Sequence, residues 1–387
     1  MADDIARGTT PSNPRNGEDI ARGTTPSNPR KGLKTATGAQ YARIMGIGGY
    51  RPRRVVDNAE IVTYIDSSDE WIRTRSGITE RRWASPDETI QMMSVAAARK
   101  AIERAGIEPG QVDTVIVSTV THLVQTPAIA TTIATELGAK DAAAFDINAA
   151  CAGFCYMVAM ADALVRAGSS KYVVVIGVER LTDLTDIHDR STAFIFADGA
   201  GAAVIGPSDV PAIGPVVWGS DGEQADLITQ TQPWDTAIPR HERGGPDATA
   251  QAAAADGTDG SGAAGSEATW PVLRMNGNPV FKWASYAMAK TAAEAMDAAG
   301  ITPDELDVFV PHQANNRITD AMFRALKLPE GIVIARDIVN HGNTSAASIP
   351  LAIETLLESG EAKPGQTALT IGFGAGLVYA GQVITLP

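Results

Sequence analysis

Cys151 sits in a run of small residues, Ala149-Ala150-Cys151-Ala152-Gly153, between a strand-like segment ending FDIN and an apolar helical stretch reaching about Ala167. A thiol at a helix start feels free amides and the helix dipole, both of which favour thiolate, and small neighbours leave room for an incoming thioester. A free cysteine is equally a small buried hydrophobe, and Cys155, one turn further on, reads that way. His312 follows the strand-like DVFVP, at the kind of strand end where α/β proteins gather reactive groups, and can give or take a proton. The other four of the five histidines are His122, His188, His241 and His341, and a lone histidine is commonly structural. Asn343 lies in NHGNTSAASIP (340–350), where Gly342 allows a tight turn, the Asn343 amide can donate, and Ser345–Ala347 open another helix. Capping or turn formation is the ordinary work of such an asparagine. In IGFGAGLVYAG (371–381) the Gly374-Ala375-Gly376 turn leaves backbone amides uncovered, which suits an oxyanion hole, although a glycine-rich hairpin is by itself only a hairpin. Neither it nor DGAGAAVIG (198–206) carries a dinucleotide-binding G-x-G-x-x-G in a strand-to-helix setting.

These residues need a scaffold, and the pattern from about Tyr41 onward supplies one. Short β-branched runs alternate with amphipathic helical stretches, the mark of a layered α/β fold. Strands are expected at 113–120, 142–148, 172–177, 307–310, 367–373 and 377–386, each of buried-strand length, and helices over 89–105 and 283–299. A weak internal duplication is also present. Ala105-Gly106-Ile107, Pro109, Val112 and Asp113 correspond to Ala299-Gly300-Ile301, Pro303, Leu306 and Asp307 at a constant offset of 194. The same offset carries Cys151 onto Ser345, so two similar halves about a pseudo-twofold axis would bring these distant segments together.

The 387 residues, 44% of them hydrophobic, suffice for a large core and about two domain-sized units. A net charge of −13 disfavours sequence-independent binding to nucleic acid or anionic membrane, so an acidic partner would require a local basic patch. Apolar runs such as YVVVIGV (172–178) are strand-sized and none spans a bilayer. The first forty residues lack the apolar stretch of a secretory signal and carry Asp3, Asp4, Glu18 and Asp19, which leaves the cytoplasm as the expected location. The only two cysteines, four residues apart, suit a reducing compartment. Residues 4–15 recur word for word at 19–30, within a stretch to about Gln40 that has little to bury and is expected to be disordered. The segment 240–268 is dominated by Ala, Gly, Asp and Ser and reads as a disordered surface loop.

Taken in order, the motifs resemble the thiolase-fold condensing enzymes, specifically β-ketoacyl-acyl-carrier-protein synthase III of the actinobacterial kind. The resemblance spans 41–387 and is carried by SSDEWIRTRSGI (67–78), the cysteine segment, IHDRSTAFIFADGAGAA (187–203), MNGNPVFKW (275–283), VPHQANNRI (310–318), GNTSAASIP (342–350) and the closing glycine turn. It implies a layered αβαβα fold of two duplicated halves: an extension over 1–40, a nucleophile-bearing half over 41–210, a connection with its loop over 211–270, and a half with the histidine and asparagine over 271–387.

The activity it implies is an acyltransferase reaction that starts fatty-acid synthesis. An acyl-CoA starter loads Cys151, and malonyl-acyl-carrier protein then condenses with it by decarboxylation, with His312 and Asn343 holding the malonyl thioester oxygen. By the same resemblance Phe373, Gly374, Ala375 and Gly376 form the malonyl and oxyanion pocket. Trp71 and Arg75 flank the coenzyme A adenine, and Arg190, Asn278 and Phe281 line its channel. Arg317, Arg324 and Lys327, spaced by 7 and 3 on one helix face, dock the carrier protein, although a solvated basic face has the same spacing. Thr126 reaches the partner subunit's acyl pocket in a homodimer, and its small size predicts branched or longer starters besides acetyl-CoA. No metal and no resident cofactor is implied, coenzyme A thioester being a substrate. Alternatives within the fold are a polyketide-priming or acyl-transferring homologue of secondary metabolism; outside it, a silent carrier-binding subunit. The family pattern is departed from at Ala375, where many members have glycine, and at the long 240–268 loop.

Overall fold

The computed structural model describes residues 34–234 and 270–387, and residues 37–387 form one unit. Most of the tail expected over 1–40, and all of the loop expected over 240–268, lie outside the described residues.

The first half runs β1 (Tyr41–Tyr50), β2 (Arg54–Asp57), α1 (Asp69–Ser76), β3 (Glu80–Trp83), α2 (Ile90–Ala105), β4 (Thr114–Ser118), α3 (Ile129–Leu137), β5 (Ala143–Ile147), α4 (Gly153–Ala167), β6 (Val173–Arg180) and β7 (Asp198–Ser208). The second runs β8 (Val217–Ser220), β9 (Ile228–Gln230), β10 (Leu273–Met275), α5 (Gly277–Ala299), β11 (Val308–Pro311), α6 (Asn316–Leu326), β12 (Val333–Ile334), α7 (Ser348–Ser359), β13 (Thr367–Gly374) and β14 (Val378–Thr385). One sheet has the order β5-β4-β6-β7-β1 and the other β12-β11-β13-β14-β8. In both, the first three strands are parallel and the last two join antiparallel. The duplication legible in sequence is thus a duplication of topology. β8, drawn from the expected connection 211–270, takes the edge place that β1 holds in the first sheet.

Strand β6 shows why the layers stack. Val173 and Val175 face one core cluster with Phe154, Met157 and Ala161 of α4 and Ile349, Ala352 and Ile353 of α7. Val174, Ile176 and Val178 face another with α2 and α3. Alternation along a strand buried on both faces requires helices on both sides. On the far side of the second sheet α5 and α6 pack through Met288, Met296, Ile318 and Met322 against Leu369 and Ile371. The result is an αβαβα stack with α4 and α7 in the middle. Each fully buried Val or Ile contributes on the order of 2 kcal/mol by leaving water. The 18-residue window Ala150–Ala167 is apolar enough for a membrane span by composition. In the fold it is the central-layer helix, with Phe154, Met157, Val158, Ala161 and Val165 buried.

Several expectations shift. The strand expected over 142–148 as buried is an edge strand, β5, with Ala143 exposed and Ala144–Ile147 only partly covered. The helix expected from 283 begins at Gly277. The long strands β1 and β7 were not expected; β7 reads DGAGAAVIGPS, too rich in Gly and Ala to signal a strand. Lys327 does not share the α6 face with Arg317 and Arg324. It caps the helix in a left-handed conformation at φ 53°, which turns it off the helical spiral.

Candidate active site

Cys151 lies in a one-turn 3-10 helix, Ala150–Ala152, that leads into α4. Ala150 adopts φ 42°, left-handed for a residue with a side chain, so the chain makes a sharp elbow as it leaves β5. The second half repeats the device: Ser345, at φ 50°, starts the one-turn helix Ser345–Ala347 leading into α7. The structural counterpart of Ser345 is therefore Ala150, and that of Cys151 is Ala346, one residue off the sequence offset. An extra residue between the repeated segments accounts for the slip.

The two turns pack against each other, and each is pressed by a strand of the opposite half. A Cβ on Gly177 of β6 would lie 2.3 Å from the Ala346 oxygen, and one on Gly372 of β13 would lie 2.9 Å from Cα of Ala152. Gly374 is still closer to the chemistry: its Cβ would fall 2.9 Å from the Cys151 nitrogen and 3.1 Å from the sulfur. Only glycine allows β13 to run against the nucleophile. Ala375 is not among the residues of positive φ, so alanine is compatible with the turn.

Cys151 is partly exposed and Cys155 is buried; neither forms a disulfide. Burial pushes the Cys151 thiol up to about 12, opposed by the Ser345 hydroxyl hydrogen-bonded to the sulfur and reinforced by the Glu179 charge. Burial thus opposes the thiolate that the helix start favours. A thiol held protonated by desolvation loads faster where a proton acceptor is at hand.

His312 follows β11, and its backbone amide donates to the Ile371 oxygen at 2.8 Å, which locks it beside β13. The side chain is 3% exposed. Its Nδ1 lies 2.7 Å from Ser348 Oγ, and that oxygen also accepts the Gln313 amide at 3.3 Å. A serine hydroxyl donating to Nδ1 would leave the imidazole hydrogen on Nε2. Burial holds His312 down to about 3, so it is a neutral ring. Neutral imidazole is a hydrogen-bond donor that does not discharge a developing enolate by full proton transfer. The ring meets Phe373 edge-on, with centroids 5.3 Å apart.

Asn343 is 5% exposed and bound by its backbone to β7's approach: its amide donates to the Ile195 oxygen, and its oxygen accepts from Ala197, both at 2.9 Å. Its Oδ1 accepts the Ser345 amide at 2.9 Å, which fixes the flip and leaves Nδ2 as the donor. Gly342, at φ 72°, precedes it, and a Cβ there would meet those of Ala197 and Arg81 at 2.8 Å. Fully buried Arg81 donates to the oxygens of Val56 and Phe194 and to Asn58 Oδ1, tying β2 and the 194–197 stretch behind the asparagine. The three sequence-picked residues thus converge: Phe373 touches His312, Gly374 touches Cys151, and Ser345, bonded to Asn343, lies on the turn that packs against the nucleophile's.

Of the residues expected along the coenzyme A channel, the structure brings together Trp71, Arg75 and Arg190, and separately sets Phe281 under Arg317. Arg190 lies 4.8 Å and Arg75 5.7 Å from the Trp71 ring centre, and Phe194 meets that ring edge-on. Asn315 Nδ2 donates to the Arg75 oxygen, which joins the end of α1 to the start of α6. There Arg317 lies over the Phe281 ring at 5.1 Å, while Asn278 is exposed at the start of α5. Arg274, on β10, pairs with Asp189 at 3.1 Å and Asp186 at 3.5 Å and so anchors the segment bearing Arg190. Thr126 is exposed, in a stretch with exposed Leu123 and Val124. Arg324 is exposed on α6.

Sequence reading passed over Ser348, Arg81, Arg274 and Glu179 and saw Ser345 only as an offset partner. Glu179 had a legible signal, a carboxylate at the end of the all-apolar VVVIGV; the others are ordinary polar residues whose partners are far away in sequence. Among the described residues no group of three or more His, Cys, Asp or Glu is arranged to hold a metal.

Comparison with known proteins bears on this arrangement. Residues 145–222 match the family model 3-oxoacyl-[acyl-carrier-protein] synthase III, and residues 296–386 match its C-terminal model. The β-ketoacyl-[acyl-carrier-protein] synthase III 1 of Streptomyces avermitilis is 57% identical over 359 residues, 92% of this chain and 99% of that protein. The corresponding synthase of Kocuria rhizophila is 53% identical, over 90% of this chain and 97% of its own length. The solved priming β-ketosynthase of the R1128 polyketide pathway superposes with TM-score 0.83 at 47% identity, covering 92% of this chain and 99% of its own. A 3-oxoacyl synthase III structure from Thermus thermophilus gives 0.76 at 38%, covering 89% and 99%. With two family models matched, relatives above 50% identical along nearly their whole length and the fold shared, the chain belongs to the 3-oxoacyl-[acyl-carrier-protein] synthase III family and is a condensing acyltransferase of the thiolase fold.

Proposed function

We propose that this chain primes fatty-acid synthesis with Cys151, His312 and Asn343 as its catalytic set. The observation that carries the assignment is the meeting of all three at the Phe373–Gly374 end of β13 and the Ser345 elbow. The Cys151 sulfur attacks the acyl-CoA thioester carbonyl. The backbone amides of Cys151 and of the 374–376 turn stabilise the oxyanion, and coenzyme A leaves. Malonyl-carrier protein then enters. His312 Nε2–H and Asn343 Nδ2–H donate to its thioester oxygen, carbon dioxide departs, and the enolate carbon attacks the acyl-cysteine to give 3-oxoacyl-carrier protein. Phe373 keeps water from the enolate. No step calls for a resident cofactor.

Trp71 is the stacking face for the adenine, and the closer guanidinium, Arg190, suits its second face better than Arg75, which is left near the phosphates. Asn278 and Phe281 line the same channel. Arg317 and Arg324 offer the acidic carrier a local positive surface on a net-negative protein, with Lys327 beside them at the helix cap. A homodimer is supported by β5, an edge strand with Phe145 and Ile147 partly exposed beside the Thr126 stretch. Thr126 would leave a partner's acyl pocket roomy enough for branched or longer starters. Two free thiols fit a reducing cytoplasm.

The test is the intact mass of carrier protein after malonyl-carrier protein is mixed with the enzyme and a panel of acyl-CoAs, with Cys151→Ala as control. The 3-oxoacyl product should appear only with wild type, and strict preference for acetyl-CoA would refute the Thr126 argument. Likeness to the R1128 priming enzyme favours a second reading, priming of a polyketide. The chemistry is shared, so relative rates with fatty-acid and polyketide carrier proteins separate the two.

A further inference from the structure

His312 and Asn343 are supported by different halves of the molecule. The His312 amide is bonded to Ile371 of β13, whereas Asn343 is bonded through its amide and oxygen to Ile195 and Ala197. The turn that leads to Asn343, Ile338–His341, leans on the first half as well: the amide and Oγ1 of Thr79 both donate to the Val339 oxygen at 2.8 Å. Two donors to one oxygen work only at a fixed separation, so what joins the two supports matters.

Gln313, next to the histidine and 2% exposed, joins them. Its Nε2 donates to the Pro311 oxygen at 2.7 Å and to the Ala335 oxygen at 3.3 Å, and its Oε1 accepts the Ile338 amide at 3.2 Å. The first amides of a helical turn have no partner within it, and Ile338 is fully buried. Asp337, in the cap position, makes no side-chain cap bond. Its Oδ1 is taken by Thr355 Oγ1 at 2.6 Å, His341 Nδ1 at 2.9 Å and Arg51 Nη2 at 3.4 Å. The cap therefore comes from Gln313, 25 residues upstream. At its other end the turn closes with the Gly342 amide on the Ile338 oxygen at 3.0 Å, and Asn343 follows.

We propose that Gln313 is a positioning residue for condensation, its carboxamide setting the separation of the His312 and Asn343 donors by bonding the histidine's segment to the amide that starts the asparagine's turn. This rests on the catalytic reading above, in which both donors hold the malonyl thioester oxygen. Gln313 acts through its neighbours, and none of the bonds of its carboxamide goes to the Cys151 turn. Loading should therefore be indifferent to it, while condensation should not.

The experiment measures two rates on the full chain. One is single-turnover acylation of Cys151 by acetyl-CoA or isobutyryl-CoA, read by mass; the other is release of 3-oxoacyl product when the acylated enzyme meets malonyl-carrier protein. Gln313→Met keeps the length of the side chain without its hydrogen bonds. It should acylate at the wild-type rate but condense about 10- to 100-fold more slowly, with the KM for malonyl-carrier protein within about twofold of wild type. Gln313→Glu can make the same bonds to Pro311 and Ile338 only while its carboxyl is protonated, since a carboxylate would face the Pro311 and Ala335 oxygens. Its condensation rate relative to wild type should be near one at pH 5.5 and fall at least about 10-fold by pH 9, with loading unaffected. The titratable groups nearby, His312 on the same segment and Asp337 with His341 and Arg51 on the facing one, are common to both enzymes, so the ratio isolates the new carboxyl. A Gln313→Met enzyme that condenses at the wild-type rate overturns the proposal, as does an equal loss of both rates, which a merely structural role would give. Should Gln313→Met not fold, Gln313→Glu decides: a constant ratio of its two rates from pH 5.5 to 9 overturns it. If wild type loads but forms no 3-oxoacyl product, the catalytic reading fails by itself, and crystal structures of wild type and variant then decide the positioning, an unmoved 338–343 segment overturning it.

Discussion

At Cys151 desolvation raises the thiol while the Ser345 side chain and a backbone hydrogen bond lower it, and burial prevails. Loading and condensation should therefore separate cleanly by residue. His312→Ala and Asn343→Ala should still acylate Cys151 but form 3-oxoacyl product about 100- to 1,000-fold more slowly, the usual effect of removing one oxyanion donor. Stopped loading in either variant would mean that the residue serves the first half-reaction. At the mouth, Trp71→Ala should raise the KM for acyl-CoA about 2- to 30-fold with kcat little changed, the range of an aromatic and cation stack. A fall in kcat alone would return Trp71 to packing against Phe194.

At the level of elements, β13 holds the site together through Gly374. Gly374→Ala should leave the fold intact, since the strand continues, yet the added carbon lies 3.1 Å from the sulfur and 2.9 Å from its amide. Displacement of that order costs about 100-fold in rate, so single-turnover acylation should drop that far while the unfolding midpoint stays near wild type. The β9–β10 hairpin acts on the mouth in the same indirect way. Arg274→Ala should free the 186–190 segment and raise the KM for acyl-CoA severalfold; an unchanged KM would show that Arg190 holds its place over Trp71 without the pair.

In the whole molecule two of the buried titrating groups pull stability in opposite pH directions. Glu179 is raised from 4.5 to about 7, so its protonated form belongs to the folded state. That contribution is whole below about pH 4.5 and lost as pH rises through 7. His312 is lowered from 6.5 to about 3, so its contribution is whole above about pH 6.5 and lost as pH falls toward 3. Glu179→Gln should accordingly gain on wild type in unfolding midpoint as pH goes from 5 to 8, by an amount on the order of 3 kcal/mol at most. A gap that stays constant across that range would show the carboxyl to be unperturbed.

The chain alone determined the layered α/β class, because strands buried on both faces write themselves as unbroken Val and Ile runs such as VVVIGV, and helices as spaced apolar residues closed by Gly106 or Gly300. It determined the duplication, since the same turn chemistry recurs at 105–113 and 299–307, and it pointed to Cys151, His312 and Asn343 through the small residues and strand ends around them. It did not show β7, whose glycines and alanines fit a crowded central layer but carry no strand signal, nor the edge position of β5, which only the sheet order decides. Protonation was beyond it as well. The Cys151 thiol, the His312 ring and the Glu179 carboxyl owe their states to how deeply the fold buries them and which hydroxyls it brings within reach. Those partners, Ser348 for His312 and Thr121 for Glu179, come from segments that only the fold brings close.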